Sequence, residues 1–190
     1  KNKVAFFHGR GAFAGKVDGG YEIRVGDEVL VGRHVIVATG SSARALPGVR
    51  FDEQKILSND GALSIGAVPR KLGVIGAGVI GLEMGSVWRR LGAEVTLLEA
   101  LPDFLAAADA QIAKEAMKAF TKQGLKIELG VRIDGVKADR KGVTVTYTDA
   151  KGEEQTLACD RLIVSIGRLP NTTGLNAQSV GLQLDERGFV

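Results

Sequence analysis

The stretch Lys71–Glu99, KLGVIGAGVIGLEMGSVWRRLGAEVTLLE, constrains this chain more than any other. An apolar run, Leu72–Ile75, leads into Gly76-Ala77-Gly78-Val79-Ile80-Gly81. A helical pattern over Leu82–Leu91 follows, then a second apolar run, Val95–Leu98, closed by Glu99. GxGxxG alone is weak evidence. Set between a strand and a helix, in a βαβ unit of about thirty residues that ends on an acid, it becomes a dinucleotide fingerprint. Gly76 permits the tight turn out of the strand. Gly78, without a Cβ, lets a pyrophosphate approach the backbone, and Gly81 lets the helix pack close to the sheet. The N–H groups and the positive end of the helix then face the phosphates. At the end of the second strand Glu99 can accept from adenosine ribose hydroxyls and repel a 2′-phosphate, which favours NAD over NADP. Ala100-Leu101-Pro102 bring no Arg or Lys to offset that repulsion. A glycine-rich turn without a ligand is the structural alternative, and the flanking pattern argues against it.

Composition narrows the classes. An apolar content of 45% with 25% charged residues is ordinary for a globular protein. The net charge of +3 comes from interspersed signs, with no basic run or basic-aromatic interleaving, so no nucleic-acid partner is expected. No apolar run is long enough to span a membrane, and no signal peptide is visible. The single cysteine, Cys159, excludes an internal disulfide and fits a reducing, cytoplasmic setting. Nothing suggests a metal site. The chain opens Lys1-Asn2-Lys3 without Met, so an internal piece of a longer protein is expected.

The remaining chain reads as strands and turns around the organising unit. Val4–His8 is expected as a short strand, and HGRGAFAGK (His8–Lys16) as a glycine-punctuated turn. Tyr21–Val25 and Glu28–Val31 form a hairpin about Gly26-Asp27. His34–Ser41 is expected as a buried apolar strand ending in a small-residue turn; on composition alone such a turn is more often structural than ligand-binding. Residues 42–70 read as a connection with a short helix near Asp60–Ile65 capped by Ser58. After Glu99, an amphipathic helix over Ala108–Gln123 is expected, with Asp109 near its start, Gly124 at its end, and Ile112, Ala116, Ala119 and Phe120 facing inward. Leu125–Leu129 is a third parallel strand. Val131–Ala138, Val143–Thr148 and Gln155–Ala158 form an antiparallel meander, and Arg161–Ile166 a buried strand. The turns ATGS (Ala38–Ser41) and SIGR (Ser165–Arg168) resemble each other and suggest two crossings between the same pair of domains. The fold class is therefore α/β, a parallel sheet plus an antiparallel β-meander.

These landmarks, in order HGRGAFAGK, HVIVATGSSARALPG, ILSNDGAL, VPRKLGVIGAGVIGLE, TLLE, KQGLKI and LIVSIGRLPNT, resemble the flavoprotein disulfide reductases of the pyridine-nucleotide family. Within that family the pattern is most similar to the dihydrolipoyl dehydrogenases. The resemblance implies a Rossmann-like NAD-binding domain over residues 68–165, flanked by part of an FAD-binding domain over 1–67 and a return segment over 166–190. It implies NAD and FAD as cofactors and a homodimeric full-length protein associated with a 2-oxo acid dehydrogenase complex. By the same resemblance Gly11 lies where the backbone meets the FAD adenine, and Thr39, Gly40 and Ser41 lie near the flavin. Gly76, Ala77, Gly78, Val79, Ile80, Gly81, Leu82 and Glu83 hold the NAD pyrophosphate and approach the nicotinamide. A plain surface acid is the alternative for Glu83. Val79 stands where some relatives carry a tyrosine lid over the flavin, so a less gated nicotinamide path is implied. Ile133 matches an apolar position against the NAD adenine, Gly167 a backbone contact to the nicotinamide half, and Arg168 a contact to the flavin phosphates.

The sequence carries no CxxxxC redox pair, and Cys159 reads as a core thiol. His8 and His34 belong to no acid–base constellation and read as structural, so no catalytic residue is assigned. Other members of the family (mercuric or glutathione reductase, NADH oxidase, transhydrogenase) and a non-catalytic NAD-binding module stay open, with Glu99 disfavouring the NADP-dependent ones.

Overall fold

The structure, a computed structural model, describes residues 2–190. In chain order its elements are β1 (Gly11–Val17), β2 (Gly20–Val25), β3 (Glu28–Gly32), β4 (Ser41–Ala43), β5 (Ile56–Leu57), α1 (Asn59–Leu63), β6 (Lys71–Ile75), α2 (Val79–Arg90), β7 (Glu94–Leu98), α3 (Ala110–Gln123), β8 (Lys126–Glu128), β9 (Arg132–Ala138), β10 (Val143–Thr148), β11 (Glu154–Cys159), β12 (Arg161–Val164) and β13 (Arg168–Pro170). A short 3-10 turn covers Ala177–Val180. Two compact units result: one runs up to Ser42 and resumes with Arg168–Val190, the other is Ala43–Gly167. The divisions, Ser42/Ala43 and Gly167/Arg168, fall beside the ATGS turn and within the SIGR turn.

In the larger unit five parallel strands lie in the order β5-β12-β6-β7-β8. Strands covered on both faces must be apolar throughout, which is why the runs read as continuous rather than alternating. Leu72, Val74, Val95, Leu97, Leu162 and Ile163 are all at most 1% exposed. One face packs on α2 and α3 through Leu82, Trp88 and Leu125, with Phe120 at its margin. The other packs on the meander, ordered β11-β10-β9, through Val131, Val143, Val145 and Tyr147. The mixed α/β class expected from the pattern is the one observed.

Local signals set most boundaries. Asp109 accepts from the N–H groups of Gln111 and Ile112 to start α3, and Gly124 ends it at φ 96°. The buried side of α3 differs from expectation by one residue. Ala113 is buried and Ala116, Met117 and Phe120 are half-buried, whereas Ile112 is 63% exposed and Ala119 is exposed. Both sets fit a 3.6-residue period, and packing on the sheet chooses between them.

The connection is better anchored than its sequence suggests. Ile56–Leu57 pairs in parallel with β12, and Ser58 accepts from the N–H groups of Asp60 and Gly61 to cap α1. Residues 43–67 therefore pack with the larger unit, not with the first.

The smaller unit holds an antiparallel sheet, β1-β2-β3. The hairpin about Gly26-Asp27 is present. HGRGAFAGK is not a turn: from Gly11 it forms β1, because Phe13 buries itself against Leu175 and Val180, and this packing overrides the glycine signal. Val4–His8 and residues 35–40 form no strand among the described residues. Val4 and Phe6 are each 83% exposed and Ile36 is 91% exposed, while Val35 and Val37 pack against the Phe13 cluster. An apolar run becomes a strand only beside another strand, and none pairs with these two segments here.

Candidate dinucleotide-binding site

The ends of β6, β7 and β12, the start of β9 and the loops beyond them enclose a cleft of about 790 Å³. It lies at the carboxyl ends of the parallel strands, where open α/β sheets place ligands. Among its lining residues are Gly76, Gly78, Glu99, Ile133 and Gly167, brought together from four parts of the sequence.

The glycine turn is shaped by contacts that exclude side chains. Gly76 has φ +99°, and a Cβ there would sit 2.2 Å from the backbone oxygen of Ser165. Its N–H donates to Leu98 O at 2.8 Å, and the Ser165 N–H donates to Ile75 O at 2.7 Å. A Cβ on Gly81 would lie 2.0 Å from Gly76 O, so this glycine sets how closely α2 approaches the strand. Gly78 differs: a Cβ there meets nothing within 4 Å. The backbone at Gly78 therefore faces open space, as an approach path to the helix end requires. Gly78 is the N-cap of α2, no side chain caps it, and the first turn carries no acid. The first-turn N–H groups of the helix are left without a side-chain cap.

Glu99 is held on every side. Its N–H donates to Glu128 O at 2.8 Å, and its carbonyl accepts from Val131 N–H at 3.0 Å. Its carboxylate Oε2 accepts from Ala77 N–H at 2.7 Å and Oε1 from Leu101 N–H at 2.9 Å. One carboxylate thus ties the glycine turn to the loop after β7. Ile133, half-buried, gives the cleft an apolar wall on β9.

Other expected positions lie elsewhere. Val79 is 68% exposed at the start of α2, and Ile80 follows half-buried. Leu82 is buried in the core. Glu83 is exposed and borders a separate depression with Val79, Met84 and Arg90, not the cleft. In the smaller unit Gly11 and Thr39 line a polar hollow with Arg10 and Asn171. Asn171 N–H donates to Gly40 O at 3.0 Å, and the Arg168 guanidinium is engaged by Ser41, with Nε to Oγ at 2.6 Å. His8 and His34 are both exposed. Cys159 is buried, and that burial pushes its thiol up to about 11, the behaviour of a core residue.

The family model described as pyridine nucleotide-disulphide oxidoreductase matches residues 1–190. The chain belongs to that family. It is 58% identical over 190 residues to dihydrolipoyl dehydrogenase of Cupriavidus necator, covering all of this chain and 40% of that protein. It is 43% identical over 192 residues to the mitochondrial dihydrolipoyl dehydrogenase of Pisum sativum, covering all of this chain and 38% of that one. Among solved structures it is similar to LpdA from Mycobacterium tuberculosis, with a TM-score of 0.79 and 29% identity over 95% of this chain and 40% of that chain. The chain thus spans about 40% of the length of each of these three proteins. Among the described residues of this family member no helix is long and apolar enough to cross a membrane.

Reading the sequence alone misses two parts of the cleft. Gly130, at φ +67°, donates to Leu101 O at 3.0 Å and so closes the loop beside Glu99. Arg132 lines the same end of the cleft. Only its position directly after Gly130-Val131, beside the expected adenine contact Ile133, could have pointed to it.

Proposed function

We propose that this chain is the NAD-binding portion, with part of the FAD-binding portion, of a flavoprotein disulfide oxidoreductase, and that the whole protein oxidises dihydrolipoamide with NAD+. One observation carries the reading: the Glu99 carboxylate stands beside the uncapped end of α2, joined to the glycine turn by the Ala77 N–H. A dinucleotide needs both, an anion cradle for its pyrophosphate and an acceptor for its ribose. The cleft fits NAD on these grounds: the open face at Gly78, the uncapped helix end, the acid at Glu99 and the apolar wall at Ile133. Gly167 lines its far side and supports a role at the nicotinamide half. FAD is fitted only in part, by the hollow around Gly11 and Thr39 and the neighbouring Gly40, Ser41 and Arg168.

The nicotinamide and flavin supply the redox chemistry when bound. This chain's residues bind, orient and select. The 58% identity to a dihydrolipoyl dehydrogenase supports dihydrolipoamide as the substrate of the whole protein. A homodimer, attachment to a 2-oxo acid dehydrogenase complex and a cytoplasmic location go with that reading.

The test is a titration of the purified chain with NADH, followed by assays for bound flavin and for lipoamide turnover. Saturable NADH binding, little FAD and no dihydrolipoamide-dependent NADH formation are expected. No NADH binding would overturn the assignment of the cleft. Turnover by this chain alone would overturn the division of labour.

A further inference from the structure

Two of the residues that line the cleft carry charge, Glu99 and Arg132. They share one end of it. Arg132 directly follows Val131, whose N–H donates to the Glu99 carbonyl at 3.0 Å. A free guanidinium at this place could reach an anion on the adenosine ribose, since an arginine side chain extends several ångströms and pairs readily with phosphate. Here it is occupied. Arg132 Nε donates to Asp134 Oδ1 at 2.8 Å, and Nη2 donates to Thr148 Oγ1 at 3.1 Å. Thr148 in turn donates to Asp134 Oδ2 at 2.7 Å, closing a ring of three side chains. The ring is built by the meander: Arg132 and Thr148 are direct partners across β9 and β10, and Asp134 lies at the bulge where the pairing of the two strands shifts by one residue.

We propose that Asp134 and Thr148 act as a restraint that keeps the Arg132 guanidinium, at the wall of the cleft, engaged in this ring rather than with a bound 2′-phosphate, sharpening the cleft's discrimination against that group. This rests on the dinucleotide reading of the cleft and adds to it a specificity-determining group outside the fingerprint. Glu99 repels the 2′-phosphate, and the restraint keeps the cleft-lining guanidinium of Arg132 from compensating. Arg132 and Asp134 are both exposed, so the ring is worth little to folding. Its effect is on where a charge points.

The experiment compares NADH and NADPH dissociation constants for the wild-type chain, D134A, R132M and the double variant D134A/R132M at fixed ionic strength. Adenosine 2′,5′-bisphosphate against 5′-AMP repeats the comparison with only the adenosine end. In D134A the NADPH-to-NADH ratio of dissociation constants falls at least threefold, and the fall shrinks as salt is raised. In the double variant the ratio returns to that of R132M. A D134A ratio within 1.5-fold of wild type, or a fall that persists without Arg132, overturns the restraint. A wild-type chain that binds neither dinucleotide overturns the reading of the cleft itself, and the two failures are told apart by the wild-type titration.

Discussion

Replacing Glu99 by Gln changes one oxygen to an amide nitrogen and removes one charge, with almost no change of shape. In the wild type both carboxylate oxygens already accept a backbone N–H, from Ala77 at 2.7 Å and Leu101 at 2.9 Å, and Glu99 lines the cleft. An amide keeps one acceptor and turns a donor toward the other N–H. At least one charge-assisted hydrogen bond is therefore lost, on the order of 1.5–3 kcal/mol. Part of that loss appears as stability, because the carboxylate ties the glycine turn to the loop after β7 without any nucleotide. The rest appears in NADH affinity, expected to weaken about tenfold, which corresponds to about 1.4 kcal/mol. For NADPH a second effect offsets this loss. Two unit charges about 4 Å apart repel by about 1 kcal/mol in water and about 4 kcal/mol at an effective dielectric of 20. The cleft opens to solvent, so the lower end applies; a 2′-phosphate carries between one and two charges, so the repulsion is about 1–2 kcal/mol and a wild-type preference for NADH of about tenfold follows. Removing the charge removes the repulsion, so Glu99→Gln should weaken NADPH far less than NADH and bring the preference below about threefold. Glu99→Arg should narrow or invert it as well, at a larger cost in melting temperature, since both N–H groups then lose their acceptor. The assay is a titration of both nucleotides at fixed ionic strength, with a thermal melt of each variant without nucleotide. Equal wild-type affinities, or a Gln variant that keeps the full preference, would refute the reasoning.

The glycines separate binding from folding. Gly78→Ala adds a methyl into open space, so the melting temperature should move by no more than about 4 °C while NADH affinity falls at least tenfold, read by melting and titration together. Gly81→Ala drives a Cβ to 2.0 Å from Gly76 O and should destabilise by about 3 kcal/mol or more, measured by denaturant unfolding. Tyr147 reports on pH. Burial, and then its hydrogen bond to Glu128 at 2.8 Å, push its hydroxyl up to about 12. A raised folded value means stability fully present below the ordinary value of 10.0 and lost as pH rises toward 12. Tyr147→Phe should be less stable near neutrality by about 1 kcal/mol and should lose the part of the alkaline decline due to this group; a variant as pH-sensitive as wild type between 10 and 12 would count against it.

The sequence by itself determined whatever depends on neighbours along the chain. The glycine turn between Leu72–Ile75 and the helix, the hairpin about Gly26-Asp27, the Ser58 and Asp109 caps and the stop at Gly124 are all local, because backbone freedom and capping are settled within about four residues. Those signals sufficed to name the α/β class and to set Gly76, Gly78, Gly81 and Glu99 in one unit. Tertiary structure decided what depends on partners far along the chain. Gly11–Val17 pairs with β2 and buries Phe13, so it is a strand despite its glycines. Val4–His8 has the composition of a strand and no neighbour to pair with. Ala113 rather than Ile112 faces inward because the sheet sits on that side. Arg132 lines the cleft because the antiparallel meander packs on the parallel sheet, and the carboxylate of Glu99 reaches Ala77 because the neighbouring parallel strands β6 and β7 bring their carboxyl ends together. Hydrogen-bond ladders and close packing are non-local interactions, and their outcome is fixed only once the whole sheet has assembled.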